Sequence, residues 1–267
     1  MITSNTNSLI KLVSSLHHKK GRLEQKLFLA EGIHLVQEAL KSTVPIRLFF
    51  WSPKLTSSEE GRRLLEVLAT KNEGYEVSES IFAKIAETEN PQGVLAVLEI
   101  PEESAFDFSR FTLGLIVDGL QDPGNVGTII RIAWACALDG LIFTPETADP
   151  YQGKVVRASQ GGIFHQKIYR NAKPGLIAEQ AQKQGLQIIA GDIKATEIYF
   201  QRDLTPPTLL LIGNEGRGLK GEWENYSIKK VLIPQPGRAE SLNVSVSAGV
   251  LVYEAIRQRF MKNTCQS

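Results

Sequence analysis

From Ser8 to His18, Leu9, Leu12, Val13 and Leu16 recur at the i, i+3, i+4 and i+7 positions of a helix with one buried face. Phe28 to Leu40 repeats that pattern more loosely, so the spacing predicts two opening helices. A strand-like run Ile46 to Trp51 follows, then a helix from Glu59 to Ala69, a short strand Tyr75 to Val77, a helix near Ile81 to Ala86 and a strand Gly93 to Leu98. These elements predict a small α/β unit. The next segment, IPEESAFDFSR, lacks periodicity, and Pro101 with the acids Glu102, Glu103 and Asp107 suits a solvated linker. A boundary near residue 107 divides the chain into domains 1–106 and 107–267. Beyond it, the apolar runs Leu113 to Val117, Gly140 to Phe143, Leu186 to Ala190, Thr208 to Ile212 and Lys230 to Ile233 alternate with helical stretches. Runs this short and apolar on both sides predict strands of a parallel sheet covered on two faces. A final helix spans about Ser245 to Phe260.

Composition narrows the function classes. At 267 residues, 42% hydrophobic and 22% charged, the chain reads as folded and globular. Thirty Lys and Arg against 29 Asp and Glu leave a net charge of +1, so bulk charge does not point to nucleic acid. Locally the balance differs: residues 1–50 hold seven Lys and Arg, among them Lys19, Lys20 and Arg22, against three Glu, a net of +4. A phosphate-binding patch and a solvated helix face are both compatible with that excess. The two cysteines, Cys136 and Cys265, form neither a disulfide framework nor a zinc motif, and the four histidines show no metal-ligand spacing. With no apolar run of about 18 residues and no secretory h-region, a cytoplasmic protein without membrane or metal partners is expected.

Ligands of open α/β sheets gather at the carboxyl ends of strands, and three such junctions carry chemistry. In IVDGLQDPGNVGTIIRIAWA a strand ends at Asp118 and a Pro-Gly-Asn turn leads into a helix bearing Arg131, expected on its second turn. LLLIGNEGRGL runs a strand into a loop with three glycines and one carboxylate, Glu215. VLIPQPGRAESLNVSVSAG places a proline-bracketed loop, Ser241 and Asn243 before the last helix. Each has an ordinary alternative: Asn125, or Ser241 with Asn243, as helix caps, and the glycines as turn formers. Neither G-x-G-x-x-G nor G-x-x-x-x-G-K-[ST] occurs, which removes the main support for dinucleotide and P-loop readings.

Taken together and in this order, the three segments resemble the motifs of the SpoU/TrmH-type RNA 2′-O-ribose methyltransferases of the SPOUT class. N-x-G-x-x-x-R stands at Asn125, Gly127 and Arg131; G-N-E-G-x-G-L at 213–219; and apolar-Pro followed by S-L-N-V-S at Ile233, Pro234 and 241–245. The stretch NSLIKLVSSLHHKKGRLEQKLFLAEGIHLVQEAL, residues 7–40, resembles the ribosomal-protein-like α/β substrate-binding domain that precedes the catalytic domain in rRNA-directed members. The resemblance implies S-adenosylmethionine as cofactor, a deep trefoil knot in the α/β catalytic domain, a homodimer, and structured RNA, foremost ribosomal RNA, as substrate. It implies Arg131 as the central catalytic residue with Asn125, Glu215, Ser241 and Asn243, and cofactor contacts from Gly213, Ile233 and Leu242. Lys19, Lys20, Arg22 and Arg157 are the expected RNA contacts, helix packing being the alternative for Arg157. A tRNA-directed enzyme and a non-catalytic assembly factor of the same fold are the competing readings. The complete polar set argues against loss of catalysis, and the N-terminal domain type against tRNA.

Overall fold

The computed structural model describes residues 1–102, 107–213, 221–238 and 240–264. Two compact units emerge, each described by itself. In the first, α1 (Ser8–Leu16) buries Ile10, Val13 and Leu16, and the Asn7 side chain accepts the Leu9 amide at 2.8 Å to cap it. Such a cap contributes about 1 kcal/mol. There follow α2 (Lys19–Gln25), β1 (Leu27–Glu31), α3 (Ile33–Lys41), β2 (Ile46–Trp51), α4 (Glu59–Lys71), β3 (Glu73–Glu76), α5 (Glu79–Ile85) and β4 (Val94–Glu99). The sheet order is β1-β4-β2-β3, antiparallel except for the parallel β2–β3 pair.

One opening element differs from its sequence reading. Phe28 to Ala30 is strand, and the helix of this region begins only at Ile33. Lys26, at φ 54°, ends α2 in the left-handed region and turns the chain into β1. Phe28, Leu29 and Ala30 are all buried, so β1 is covered on both faces and lacks the alternation that identifies a strand.

The second unit begins with β5 (Leu113–Asp118), α6 (Pro123–Ala135) and β6 (Gly140–Phe143). The chain then passes through Asp149–His165, including the short helix α7 (Gly153–Ala158), a segment that packs with the first unit. It returns as β7 (Ile168–Tyr169), α8 (Pro174–Lys183), β8 (Gln187–Gly191), β9 (Thr208–Gly213), β10 (Ile228–Val231) and α9 (Val244–Thr264). These six strands form an all-parallel sheet, order β10-β8-β9-β5-β6-β7. Leu115, Ile116, Val117, Leu209, Leu210 and Leu211 are fully buried, the signature of helices on both faces. Phe108, read as part of the linker, is 1% exposed and packs on Phe111 with ring centroids 5.0 Å apart.

Segment 149–165 is seated on the first unit by aromatic and ionic contacts. Tyr151 and Phe164 pack on Phe28 at centroid distances of 4.9 and 6.1 Å. Arg22, grouped by sequence with the surface lysines, is 3% exposed and fully committed. Its Nε and Nη2 donate to Asp149 Oδ2 at 2.9 and 2.7 Å, and Nη1 donates to the Leu16 and His17 carbonyls at 2.9 and 3.0 Å. Arg22 is therefore a structural cation and not a phosphate contact, whereas the neighbouring Lys19 and Lys20 are exposed. Glu87 is held between His17 Nδ1 at 3.0 Å and Arg157 Nη1 at 2.5 Å. The hydrogen bond from His17, then that from Arg157, lower its pKa from 4.5 to about 2 against the opposing effect of burial. Gly153 makes the approach possible, since a Cβ there would sit 1.9 Å from Glu87 Oε2.

Removing one partner of a buried pair strands the other charge, so Arg22→Ala should cost about 3–5 kcal/mol in denaturant titration, while Lys20→Ala stays within about 0.5 kcal/mol. Equal small effects would return Arg22 to the surface. Because Glu87 has a depressed folded pKa, its contribution is present above about 4.5 and is lost as pH falls toward about 2. Across that window the thermal midpoint of the wild type should fall more steeply than that of Glu87→Gln, and parallel pH profiles would contradict the assignment.

Candidate active site

Parallel pairing brings the chemistry-bearing residues to one edge of the second sheet. In the β5–β9 register Asp118 lies opposite Gly213, so the first two motif strands end side by side. Asp118 Oδ1 accepts the Thr144 hydroxyl at 2.7 Å, and Thr144 Oγ1 accepts the Gly119 amide at 3.0 Å. Gly119 sits at φ 61°, where a side chain would be strained, and turns the chain out of β5. Asp122 then caps α6 by accepting the Asn125 amide at 2.7 Å, with Pro123 at the first helical position. The cap is therefore Asp122 and not Asn125, which leaves the Asn125 side chain free for another partner.

That partner is Asn243. Its Nδ2 donates to Asn125 Oδ1 at 2.9 Å, joining residues 118 positions apart. The Asn243 Oδ1 simultaneously accepts the Ser245 amide at 2.9 Å and the Ser245 hydroxyl at 2.6 Å, capping α9. Both sequence readings of Asn243, cap and site residue, thus describe one carboxamide using its two ends. Ser241 beside it is exposed and makes no hydrogen bond to the described residues. On the same sheet, β10 ends at Val231; Leu232 donates its amide to the Glu197 carbonyl and accepts from the Tyr199 amide, fixing the chain just before Ile233. Ile233 and Leu242 are half-buried.

Arg131 lies on the third turn of α6 rather than the second, because the helix already starts at Pro123. Its side chain is exposed and has no hydrogen-bond or salt-bridge partner among the described residues. Glu215 lies outside the described residues. Arg157 belongs to the first unit, where it is paired with Glu87. The sequence reading omitted Thr144, although a polar residue directly after the apolar run of β6 is the kind of signal that a carboxyl-edge search detects. Among the described residues no group of three or more His, Cys, Asp and Glu side chains could hold a metal ion.

Gly213 tests the fit of a ligand. Its φ is not positive, and among the described residues an added Cβ would meet nothing closer than Asp118 at 3.9 Å. Neither backbone strain nor packing by the described residues requires glycine here. Open space at the end of a strand suits the close approach of a bound molecule to the backbone.

The SpoU rRNA Methylase family model matches residues 112–253, and the MRM3-like substrate binding domain matches residues 7–96. The chain is 34% identical over 252 residues to the 23S rRNA (guanosine(2553)-2′-O)-methyltransferase RlmP of Bacillus subtilis, covering 94% of this chain and 97% of that protein. An AdoMet-bound rRNA methyltransferase structure from Sinorhizobium meliloti superposes with a TM-score of 0.83 at 32% identity, over 96% of this chain and 97% of that one. The AdoMet complex of the SpoU methyltransferase AviRb from Streptomyces viridochromogenes gives 0.84 at 30% identity, over 96% and 100%.

Asn243→Ala should lose about 1 kcal/mol of stability with the α9 cap, whereas Asn243→Asp, which still caps but donates nothing to Asn125, should retain most of it. Amide hydrogen exchange across residues 122–126 should accelerate in both variants. Unchanged exchange would mean that the Asn125–Asn243 bond does not hold the first loop.

Proposed function

The chain belongs to the SpoU rRNA methylase family, and from that membership we infer that it transfers a methyl group from S-adenosylmethionine to a ribose 2′-hydroxyl of ribosomal RNA. The observation carrying this reading is that Asp118, Gly213 and the Asn125–Asn243 pair, drawn from all three motif segments, belong to the carboxyl-edge junctions of one parallel sheet. Gly213, Ile233 and Leu242 hold the cofactor, mostly through backbone groups and apolar contact. When bound, the cofactor supplies an already activated methyl on its sulfonium.

A ribose hydroxyl is a weak nucleophile, so the protein's task is positioning and charge stabilisation. Arg131 is the cation for this role. A guanidinium in this place acts as a hydrogen-bond donor and a positive charge rather than as a base. It fixes the phosphate beside the target ribose and stabilises the negative charge that develops on the 2′-oxygen, whose proton passes to solvent water. Asn125 and Asn243 hold the neighbouring loops, Ser241 offers an exposed hydroxyl to the ribose, and Glu215 orients Arg131 or Asn125.

The match of residues 7–96 to a substrate-binding domain favours rRNA over tRNA, and exposed Lys19 and Lys20 supply phosphate contacts there. Arg157, 30% exposed and paired with Glu87, adds at most one edge of its guanidinium. A homodimer is part of this reading. Val246, Tyr253 and Phe260, seven residues apart on α9, are 51%, 58% and 69% exposed, a stripe that a second copy would cover. Trp134, 37% exposed, lies one turn after Arg131 on α6, which places the catalytic cation next to an exposed apolar residue. A trefoil knot formed by the catalytic loops and a cytoplasmic location complete the assignment; no helix among the described residues is long and apolar enough to cross a membrane.

Arg131→Ala should lower methyl transfer to ribosomal RNA by at least about 10²-fold while S-adenosylhomocysteine binding, measured by calorimetry, stays within about twofold. The product should be a 2′-O-methyl nucleoside. Full activity in the variant, or methyl on a base, would overturn the assignment.

A further inference from the structure

Thr144 directly follows the last residue of β6 and is 3% exposed. Valine has the same shape, so packing alone does not call for a hydroxyl there. A hydroxyl held out of water needs partners, and Thr144 finds both of them where β5 ends. Its Oγ1 accepts the Gly119 amide at 3.0 Å and donates to Asp118 Oδ1 at 2.7 Å. The residues around it act in the same direction. The Thr144 amide and the Thr147 hydroxyl each donate to the Val117 carbonyl at 3.1 Å, and the Ala148 amide donates to the Leu120 carbonyl at 2.8 Å. Segment 144–148 thus hydrogen-bonds every residue from Val117 to Leu120. Within it Glu146 takes φ 70°, a left-handed conformation that residues other than glycine seldom adopt.

The place of these bonds gives them a consequence. Gly119, at φ 61°, is where the first motif segment leaves the sheet. Only Leu120, Gln121 and Asp122 separate it from Pro123, where α6 begins with Asn125 on its first turn and Arg131 on its third. So short a connection has little slack, and the direction in which the chain leaves Gly119 bears on where α6 starts. Asp122 and Asn243 hold Asn125 from the far side of that connection, and Thr144 holds the near side. The opposite edge of the sheet supplies a comparison. Thr208, the first residue of β9, is fully buried, and its hydroxyl donates to the Pro206 carbonyl at 2.7 Å and accepts from Gln187 Nε2 at 2.9 Å. It matches Thr144 in residue type, burial and bonding but stands away from the motif junctions.

We propose that Thr144 is a positioning residue for methyl transfer: by gripping Asp118 and Gly119 it sets how the first motif segment leaves the sheet and, through it, the placement of Asn125 and Arg131. Thr144 acts through that loop and moves no proton. Its role rests on the reading of Arg131 as the cation beside the target ribose.

The test uses the full chain with ribosomal RNA and S-adenosylmethionine. It compares Thr144→Val, which keeps the shape and removes both bonds, with Thr144→Ser, which keeps the hydroxyl, and with Thr208→Val as the control. Thr144→Val should lower kcat by about tenfold or more, with KM for S-adenosylmethionine within about threefold. Thr144→Ser should stay within about threefold of the wild type in both. Thr208→Val should lower the thermal midpoint as Thr144→Val does and leave kcat within about twofold. Amide hydrogen exchange across residues 119–122 should accelerate in Thr144→Val and not in Thr208→Val. Undiminished kcat in Thr144→Val overturns the proposal, as does a Thr144→Ser protein equally impaired or a Thr208→Val protein with the same loss of kcat. Unchanged exchange in Thr144→Val overturns it without reference to activity. A wild type that transfers no methyl to the RNA overturns the assigned reaction as well, whereas an active wild type beside an equally active Thr144→Val overturns the role of Thr144 alone.

Discussion

The site depends on a single carboxamide. Asn243 caps the last helix with its oxygen and grips Asn125 with its nitrogen, so the start of α9 and the start of α6 are held as one object. Everything proposed for the catalytic centre presupposes that connection. It acts together with the packing of α6 on α9, where Ile132 Cδ1 lies 3.6 Å from where a Cβ on Gly249 would stand and Cys136 hydrogen-bonds Tyr253, so the helices that carry Arg131 and the third loop are held along their length as well as at their starts. The sheet supplies the second constraint, because parallel register ends β5 and β9 side by side and puts Asp118 opposite Gly213. Polar caps and a buried apolar ladder therefore do different work: the ladder sets position along the edge, and the caps set how the loops leave it.

The charged side chains divide by the same logic. Arg22 and Arg157 are spent on Asp149 and Glu87, and with them the segment 149–165 is built into the first unit. Arg131 has no such partner among the described residues and is exposed. A cation already neutralised and desolvated by a carboxylate stabilises structure, whereas a solvated one remains free to meet phosphate. Residue type alone does not distinguish these roles, and neither does sequence neighbourhood, since Arg22 lies two positions from an exposed lysine.

Much of this was legible in the chain. Four of the five apolar runs of the second half are strands, because a segment buried on both faces must be continuously apolar; the fifth, read as Lys230 to Ile233, is shifted, since β10 spans Ile228–Val231 at the sheet edge with Lys229 and Lys230 exposed, and the three junctions still carry the family motifs. The same rule misled at Phe28 to Ala30, where a strand covered on two sides sits beside a true helix and the combined pattern reads as loosely helical. The polar helix Lys19–Gln25 gave no apolar periodicity to detect. The α6 cap was placed on Asn125 as one alternative, while Asp122 takes it, a shift of one helical turn that also moves Arg131 to the third turn. The return of residues 149–165 to the first unit had no local signature at all, because the partners of Asp149 and Arg157 lie 127 and 70 positions away.

The convergence of the three segments on one cofactor is tested most directly by amide hydrogen exchange with and without saturating S-adenosylhomocysteine. Protection should rise together in three places, around residues 118–125, at the end of β9 near Gly213, and across residues 232–243, with little change in the N-terminal unit. Protection confined to one of these segments, or appearing in the N-terminal unit instead, would contradict the account.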